Sequence, residues 1–147
     1  MPSETPNTTT MPIASLLKRG QVKILIVEDD RFLRELLITK LKKEGYSILE
    51  AANGDEALSQ IKDSGPHLVL LDLVLPGTDG FQVLQLLRES IQNNTVPVIV
   101  LSNLGSREDI DKAMGLGAKE FLVKAHHTPQ EIVEKIRKVL DEHYLEQ

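Results

Sequence analysis

Four short apolar runs in this chain each end in a polar side chain that could do chemistry. Ile24-Leu25-Ile26-Val27 is followed by Glu28-Asp29-Asp30, Leu68-Val69-Leu70-Leu71 by Asp72, Val98-Ile99-Val100-Leu101 by Ser102, and Phe121-Leu122-Val123 by Lys124. If the first and third runs are neighbouring strands, acidic groups from two strand ends meet in one crevice, flanked by a hydroxyl and an ammonium. Carboxylates in contact repel by about 1 kcal/mol per pair in water-like surroundings and about 4 kcal/mol at an effective dielectric of 20. A cation must therefore sit among them. An oxygen-only, carboxylate-rich site that stays partly open suits Mg2+, which keeps several waters and shares its remaining positions with phosphate oxygens. No histidine stands at a matching place, so the pattern does not suit zinc.

The elements that position these groups are legible in the spacing. Residues 22–143 alternate between short apolar runs and helical stripes of ten to fifteen residues, the signature of βαβ units. The four runs above are apolar at consecutive positions, as strands buried on both faces are. A fifth, Ser47 to Ala52, alternates more weakly and suits an edge strand. The helical stripes are Phe32, Leu33, Leu36, Leu37 and Leu41; Ala57, Leu58 and Ile61; Phe81, Leu84, Leu87 and Ile91; Ile110, Ala113 and Met114; and Ile132, Val133, Ile136, Val139 and Leu140. Asn53 with Glu56, Ser106 with Asp109, and Thr128 with Glu131 have the spacing of N-terminal caps, and Gly45 and Gly117 stand where helices should stop. Glu131–Lys135 and Glu134–Lys138 have the spacing of solvated ion pairs on the last helix. Five such units do not close an eight-stranded barrel, so the expected architecture is an open, doubly wound parallel sheet with helices on both faces. Ligands of such a sheet bind at the carboxyl ends of the strands.

Composition narrows the function. A chain of 147 residues with 41% hydrophobic and 27% charged residues is sized and composed like one globular domain. Without cysteine it can hold no disulfide, thiolate nucleophile or Cys-ligated metal, and a cytoplasmic setting is the default. A net charge of −5 is the wrong sign for neutralising a phosphate backbone, and with no Trp and only three Phe and two Tyr a base-stacking platform is not expected. No direct nucleic-acid contact and no membrane insertion are therefore expected. Residues 1–21, rich in Thr, Ser and Pro, are expected to be a flexible arm, and residues 144–147 a short tail.

Ile24 to Asp30, Leu70-Leu71-Asp72-Leu73-Val74-Leu75-Pro76-Gly77-Thr78-Asp79-Gly80, Val96 to Ser102, and Gly117-Ala118 ahead of Phe121 to Lys124 resemble, in this order, the receiver domain of two-component response regulators. The resemblance covers about 120 residues, expected as a domain over 22–143, and each piece gains its specificity from the others. It implies a five-stranded flavodoxin-like sheet in the order 2-1-3-4-5. It further implies that Asp72 is the phosphoacceptor and that Glu28 and Asp29 hold Mg2+ together with Asp72 and the backbone carbonyl of Val74. Ser102 and Lys124 would bond the phosphoryl oxygens, and Ser102 and Phe121 would form the switch. The implied partners are a sensor histidine kinase or phosphotransfer protein and a downstream protein whose identity the sequence does not carry. The implied protein accepts a phosphoryl group and slowly hydrolyses it, without being a conventional enzyme, and has no room for an output domain. Three positions depart from the family pattern. Ala125 stands where proline is usual, so a trans Lys124–Ala125 peptide is expected. Asn103 follows Ser102 where a small residue is common, and Phe121 lacks a tyrosine hydroxyl.

Three other readings meet specific obstacles. A flavin protein of the same fold would want a hydroxyl-rich phosphate loop where Glu28-Asp29-Asp30 stands. An aspartate-nucleophile phosphatase would want a second aspartate where Val74 stands. A receiver-like adaptor acting without phosphorylation would have no use for the complete acid, hydroxyl and lysine set. His126-His127 read as solvated loop residues.

Overall fold

The computed structural model describes residues 20–90 and 95–144. Strands β1 (Lys23–Val27), β2 (Ser47–Ala51), β3 (Leu68–Leu71), β4 (Val98–Ser102) and β5 (Glu120–Val123) alternate with helices α1 (Arg31–Lys43), α2 (Gly54–Ser64), α3 (Gly80–Ser90), α4 (Arg107–Gly115) and α5 (Pro129–Tyr144). All strand pairs are parallel, and the order is β2-β1-β3-β4-β5, as expected. The consecutive apolar residues of β1, β3 and β4 divide between the two faces, because side chains alternate across a strand. Ile24, Ile26, Leu68, Leu70, Ile99 and Leu101 pack under α1 and α5, against Leu37, Leu41, Ile136 and Val139. Leu25, Val27, Val69, Leu71, Val98 and Val100 pack under α2, α3 and α4, against Ala57, Ile61, Val83, Leu84 and Ala113. Each fully buried aliphatic side chain of this size contributes about 1.5–3 kcal/mol.

Several sequence expectations need correction. Phe121–Val123 is not buried on both faces. In this order β5 is an edge strand with one neighbour, and of its residues Leu122 alone is buried. Phe32 is 79% exposed and Met114 43% exposed, because α1 turns Leu33, Leu37 and Leu41 toward the sheet and α4 turns Ala113. Among the described residues neither Glu131–Lys135 nor Glu134–Lys138 forms an ion pair. Lys135 reaches Glu120 of β5 at 3.7 Å, and Glu131 accepts from the Thr128 amide at 2.8 Å. Residues 1–19 of the expected arm, Ile91 and residues 145–147 lie outside the described residues.

The helix ends follow the local chemistry. Asp30, Asn53, Ser106 and Thr128 accept from the amides of Leu33, Glu56, Asp109 and Glu131. Asp79 and Gln82 cap α3 reciprocally, a pair the sequence reading did not single out. The Lys124–Ala125 peptide is trans, and the chain leaves β5 through a 3-10 turn, Lys124–His126. His126 is exposed, and His127 Nδ1 donates back to the Val123 carbonyl at 3.1 Å.

At the opposite end of the sheet, His67 Nδ1 accepts from the Lys23 amide at 3.0 Å, and the Tyr144 hydroxyl donates to the His67 carbonyl at 2.7 Å. Burial, and then the Lys23 charge, hold the His67 imidazole below its ordinary pKa. The unfolded chain therefore takes up this proton more readily, and His67 contributes stability that is present above about pH 6.5 and lost as pH falls toward the depressed folded value. Thermal unfolding midpoints at pH 7.5 and 5.5 should show a smaller drop in His67→Gln than in wild type. Equal drops would show that His67 is not the titrating group.

Candidate functional site

The carboxyl ends of β1, β3, β4 and β5 bring the expected residues to one edge of the sheet. The Asp72 amide donates to the Val27 carbonyl at 3.0 Å, so the residue following β3 lies beside the last residue of β1. Glu28 is 2% exposed and Asp72 5% exposed, at positions where an unpaired charge would cost several kcal/mol. Lys124 answers both. Its Nζ lies 2.8 Å from Glu28 Oε1 and 2.8 Å from Asp72 Oδ2. Desolvation alone would lower the Lys124 ammonium, but the hydrogen bonds to Asp72 and Glu28 outweigh it and hold its pKa above the ordinary value. Burial pushes the Glu28 carboxyl up, against the lowering effect of Lys124 and of the Asp30 amide.

The remaining oxygens are also accounted for. Glu28 Oε2 accepts from the Asp30 amide at 3.1 Å, and Asp72 Oδ1 accepts from the Val74 amide at 3.2 Å. Asp29 is exposed, yet its carboxylate joins those of Glu28 and Asp72 with oxygens all within 4.8 Å of one another. This oxygen-only donor set fits a hard divalent cation of the Mg2+ type, and within it Lys124 is the cation that balances the two buried charges. Ser102, fully buried at the end of β4, accepts from the Leu104 amide at 3.3 Å, which leaves its proton available for donation. Val74 is 59% exposed beside the site. Phe121 is half-buried and packs with Leu104 and Leu116 against the apolar layer under α2–α4.

The loop after Asp72 is held by close backbone approaches that sequence reasoning missed. The Gly80 amide donates to the Leu73 carbonyl at 2.9 Å, and a Cβ on Gly80 would stand 2.4 Å from the Asp72 carbonyl oxygen. At the other side of the loop a Cβ on Gly54 would stand 2.0 Å from the Thr78 carbonyl oxygen, while the Thr78 hydroxyl donates to Asp55 at 2.8 Å. The available signal was Gly80 three residues after Gly77 of the Pro76-Gly77 turn, in which Gly77 has a φ of 71°. Arg34 was missed as well. It is a half-buried guanidinium that donates to the Glu28 carbonyl at 2.6 Å.

Comparison with known proteins agrees with this geometry. Residues 24–137 match the family described as response regulator receiver domain. The chain is 41% identical over 118 residues to the probable transcriptional regulator ycf27 of Porphyridium aerugineum, covering 80% of this chain and 48% of that protein. It thus spans about half the length of the curated relatives it matches. A CheY-like response regulator receiver domain protein from Methanospirillum hungatei JF-1 superposes with a TM-score of 0.77 at 29% identity, over 85% of this chain and 98% of that one. The BeF3-activated N-terminal receiver domain of Klebsiella pneumoniae RstA gives a TM-score of 0.72 at 31% identity, over 80% and 97%. The sheet order, the acidic strand ends and a family match across all five strands lead to one conclusion: the chain belongs to the response regulator receiver domain family of two-component systems.

Proposed function

We propose that this domain accepts a phosphoryl group on Asp72 from a histidine kinase or phosphotransfer protein, with Mg2+ as cofactor, and that the modification changes a surface read by a downstream protein. The observation that carries the reading is the pair of buried carboxylates, Glu28 and Asp72, bridged by one ammonium at 2.8 Å from each. A carboxylate at a strand end, paired with an ammonium, is a nucleophile in waiting. In the step itself an Asp72 oxygen attacks phosphorus as the P–N bond of phosphohistidine breaks. The electron pair leaves with the imidazole nitrogen, and a P–O bond forms.

Glu28, Asp29, Asp72 and the Val74 carbonyl would hold Mg2+, which supplies charge neutralisation for the phosphoryl oxygens. Lys124 then exchanges its bond to Asp72 for one to a phosphoryl oxygen. Ser102 donates its free proton to another, and the half-buried Phe121 adjusts its packing on β5 as Ser102 moves. This is receptor chemistry in a cytoplasmic setting rather than turnover of a substrate, and the acidic domain itself needs no nucleic acid or membrane contact. Among the described residues no helix is long and apolar enough to cross a membrane.

Intact-mass measurement after incubation with acetyl phosphate tests the reading. Wild type with Mg2+ should gain one phosphoryl group, while Asp72→Asn, and wild type in chelator, should gain none. Equal labelling of wild type and Asp72→Asn would remove the assignment, and a stable, folded protein that never labels would favour the adaptor.

The phosphorylated form should be long-lived. The side chains two residues beyond Asp72 and Ser102 are Val74, exposed, and Leu104, half-buried against the apolar layer, and neither can hydrogen-bond an attacking water. Following the loss of phosphate with time, Val74→Asn or Leu104→Glu should speed the decay several-fold. If neither does and Asn103→Ala slows it, the apolar shield is the wrong explanation.

A further inference from the structure

Arg34 joins three segments through one guanidinium. It stands in the first turns of α1, and its side chain is 14% exposed. Its Nη1 donates to the Glu28 carbonyl at 2.6 Å, and its Nε donates to Glu50 Oε1 at 3.1 Å. Glu50 lies on the edge strand β2, in register with Ile26 of β1, two residues before Glu28. The helix, the loop that carries the acidic pair and the edge of the sheet are therefore held by the same planar fork, a geometry that a lysine cannot reproduce.

The two acids depend on this fork to different degrees. Glu28 is fixed by Lys124 and by the Asp30 amide as well. The Asp29 carboxylate is exposed and, among the described residues, has no hydrogen-bond partner, so only the loop backbone determines where it points. We propose that Arg34, oriented by Glu50, is a positioning residue that sets Mg2+ affinity by fixing the backbone from which Asp29 projects. This rests on the reading of Glu28, Asp29 and Asp72 as the Mg2+ ligands.

For Arg34→Ala charge alone argues for the opposite effect, so the sign of that result discriminates. A guanidinium near the site repels Mg2+, and its removal would tighten binding, by about fourfold for a unit charge ~10 Å from the divalent ion in water. Salt screens part of that effect, because Arg34 and Glu50 lie where solvent reaches the pair. Loss of an outer residue that orients a metal ligand weakens binding by about 10–100-fold. Positioning should therefore outweigh repulsion.

Isothermal titration of Mg2+ into the full unphosphorylated chain decides. Arg34→Ala should weaken Mg2+ binding about tenfold, and Arg34→Lys should recover only part of the loss despite restoring the charge. Glu50→Gln, a change at a side chain 58% exposed that leaves the core untouched, should weaken binding a few-fold. In an Asp29→Asn background, Arg34→Ala should have little further effect, which a merely structural role would not produce. Wild-type affinity or tighter binding in Arg34→Ala and Glu50→Gln, with wild type binding Mg2+, overturns the proposal alone. Absence of Mg2+ binding by wild type overturns the metal reading together with it.

Discussion

Gly80→Ala should destabilise the domain by about 3 kcal/mol or more and abolish phosphoryl acceptance, although alanine is the better helix former. Gly80 opens α3, where alanine would ordinarily gain about 0.5–1 kcal/mol over glycine. The added methyl would stand 2.4 Å from the Asp72 carbonyl oxygen and 2.6 Å from the Leu73 Cα. Both neighbours are backbone, so neither a rotamer change nor a bent side chain relieves the overlap, and the segment carrying Asp72, the proposed phosphoacceptor, must shift. Overpacking of rigid neighbours costs about 1–3 kcal/mol and occasionally more. Gly115→Ala is the matched control. It lies in α4 with nothing within 4 Å of its added methyl, so the same substitution there should raise stability by a few tenths of a kcal/mol to about 1 kcal/mol. Chemical denaturation of both variants measures the contrast. A Gly80→Ala protein as stable as Gly115→Ala would show that the loop tolerates displacement.

Lys124→Met should be the second large effect, and its sign depends on what surrounds the ammonium. Glu28 and Asp72 are nearly fully buried and share this one cation. Removing a partner from a buried ion pair leaves uncompensated charge and costs about 3–5 kcal/mol. A surface lysine would cost less than about 1 kcal/mol. Unfolding in chelator at pH 7.5 should show the large loss, and millimolar Mg2+ should return part of it, because a cation held by Glu28, Asp29 and Asp72 replaces the missing charge. A loss below 1 kcal/mol would contradict the observed bridging.

How far the sequence reached can be judged from individual residues. Glu28, Asp72, Ser102 and Lys124 were legible because each follows a run of apolar residues, and a parallel sheet brings all strand ends to one edge. The caps at Asn53, Ser106 and Thr128 were legible because their chemistry is local. Arg34 was not, since its two partners are Glu28, six residues back, and Glu50, sixteen residues ahead, and the second exists only once β2 lies beside β1. Gly54 was likewise silent, because its reason is the Thr78 carbonyl, 24 positions away in the chain. Phe32 misled for a related cause. In α1 the sheet-facing stripe runs through Leu33, Leu37 and Leu41, and an adjacent apolar residue falls about 100° away on the helix, in solvent. The exposure of β5 follows from its place at the sheet edge, not from its own composition.

The central claim is that Asp72, and no other carboxylate, takes up the phosphoryl group. Incubating wild type with acetyl phosphate and Mg2+, trapping the acyl phosphate by borohydride reduction and mapping the peptides by mass spectrometry reads the modified position directly, since a reduced aspartyl phosphate becomes homoserine. Homoserine is expected at position 72 alone, and none when Mg2+ is withheld. Homoserine at another aspartate, or an unmodified residue 72 in a protein that has gained a phosphoryl group, would contradict it.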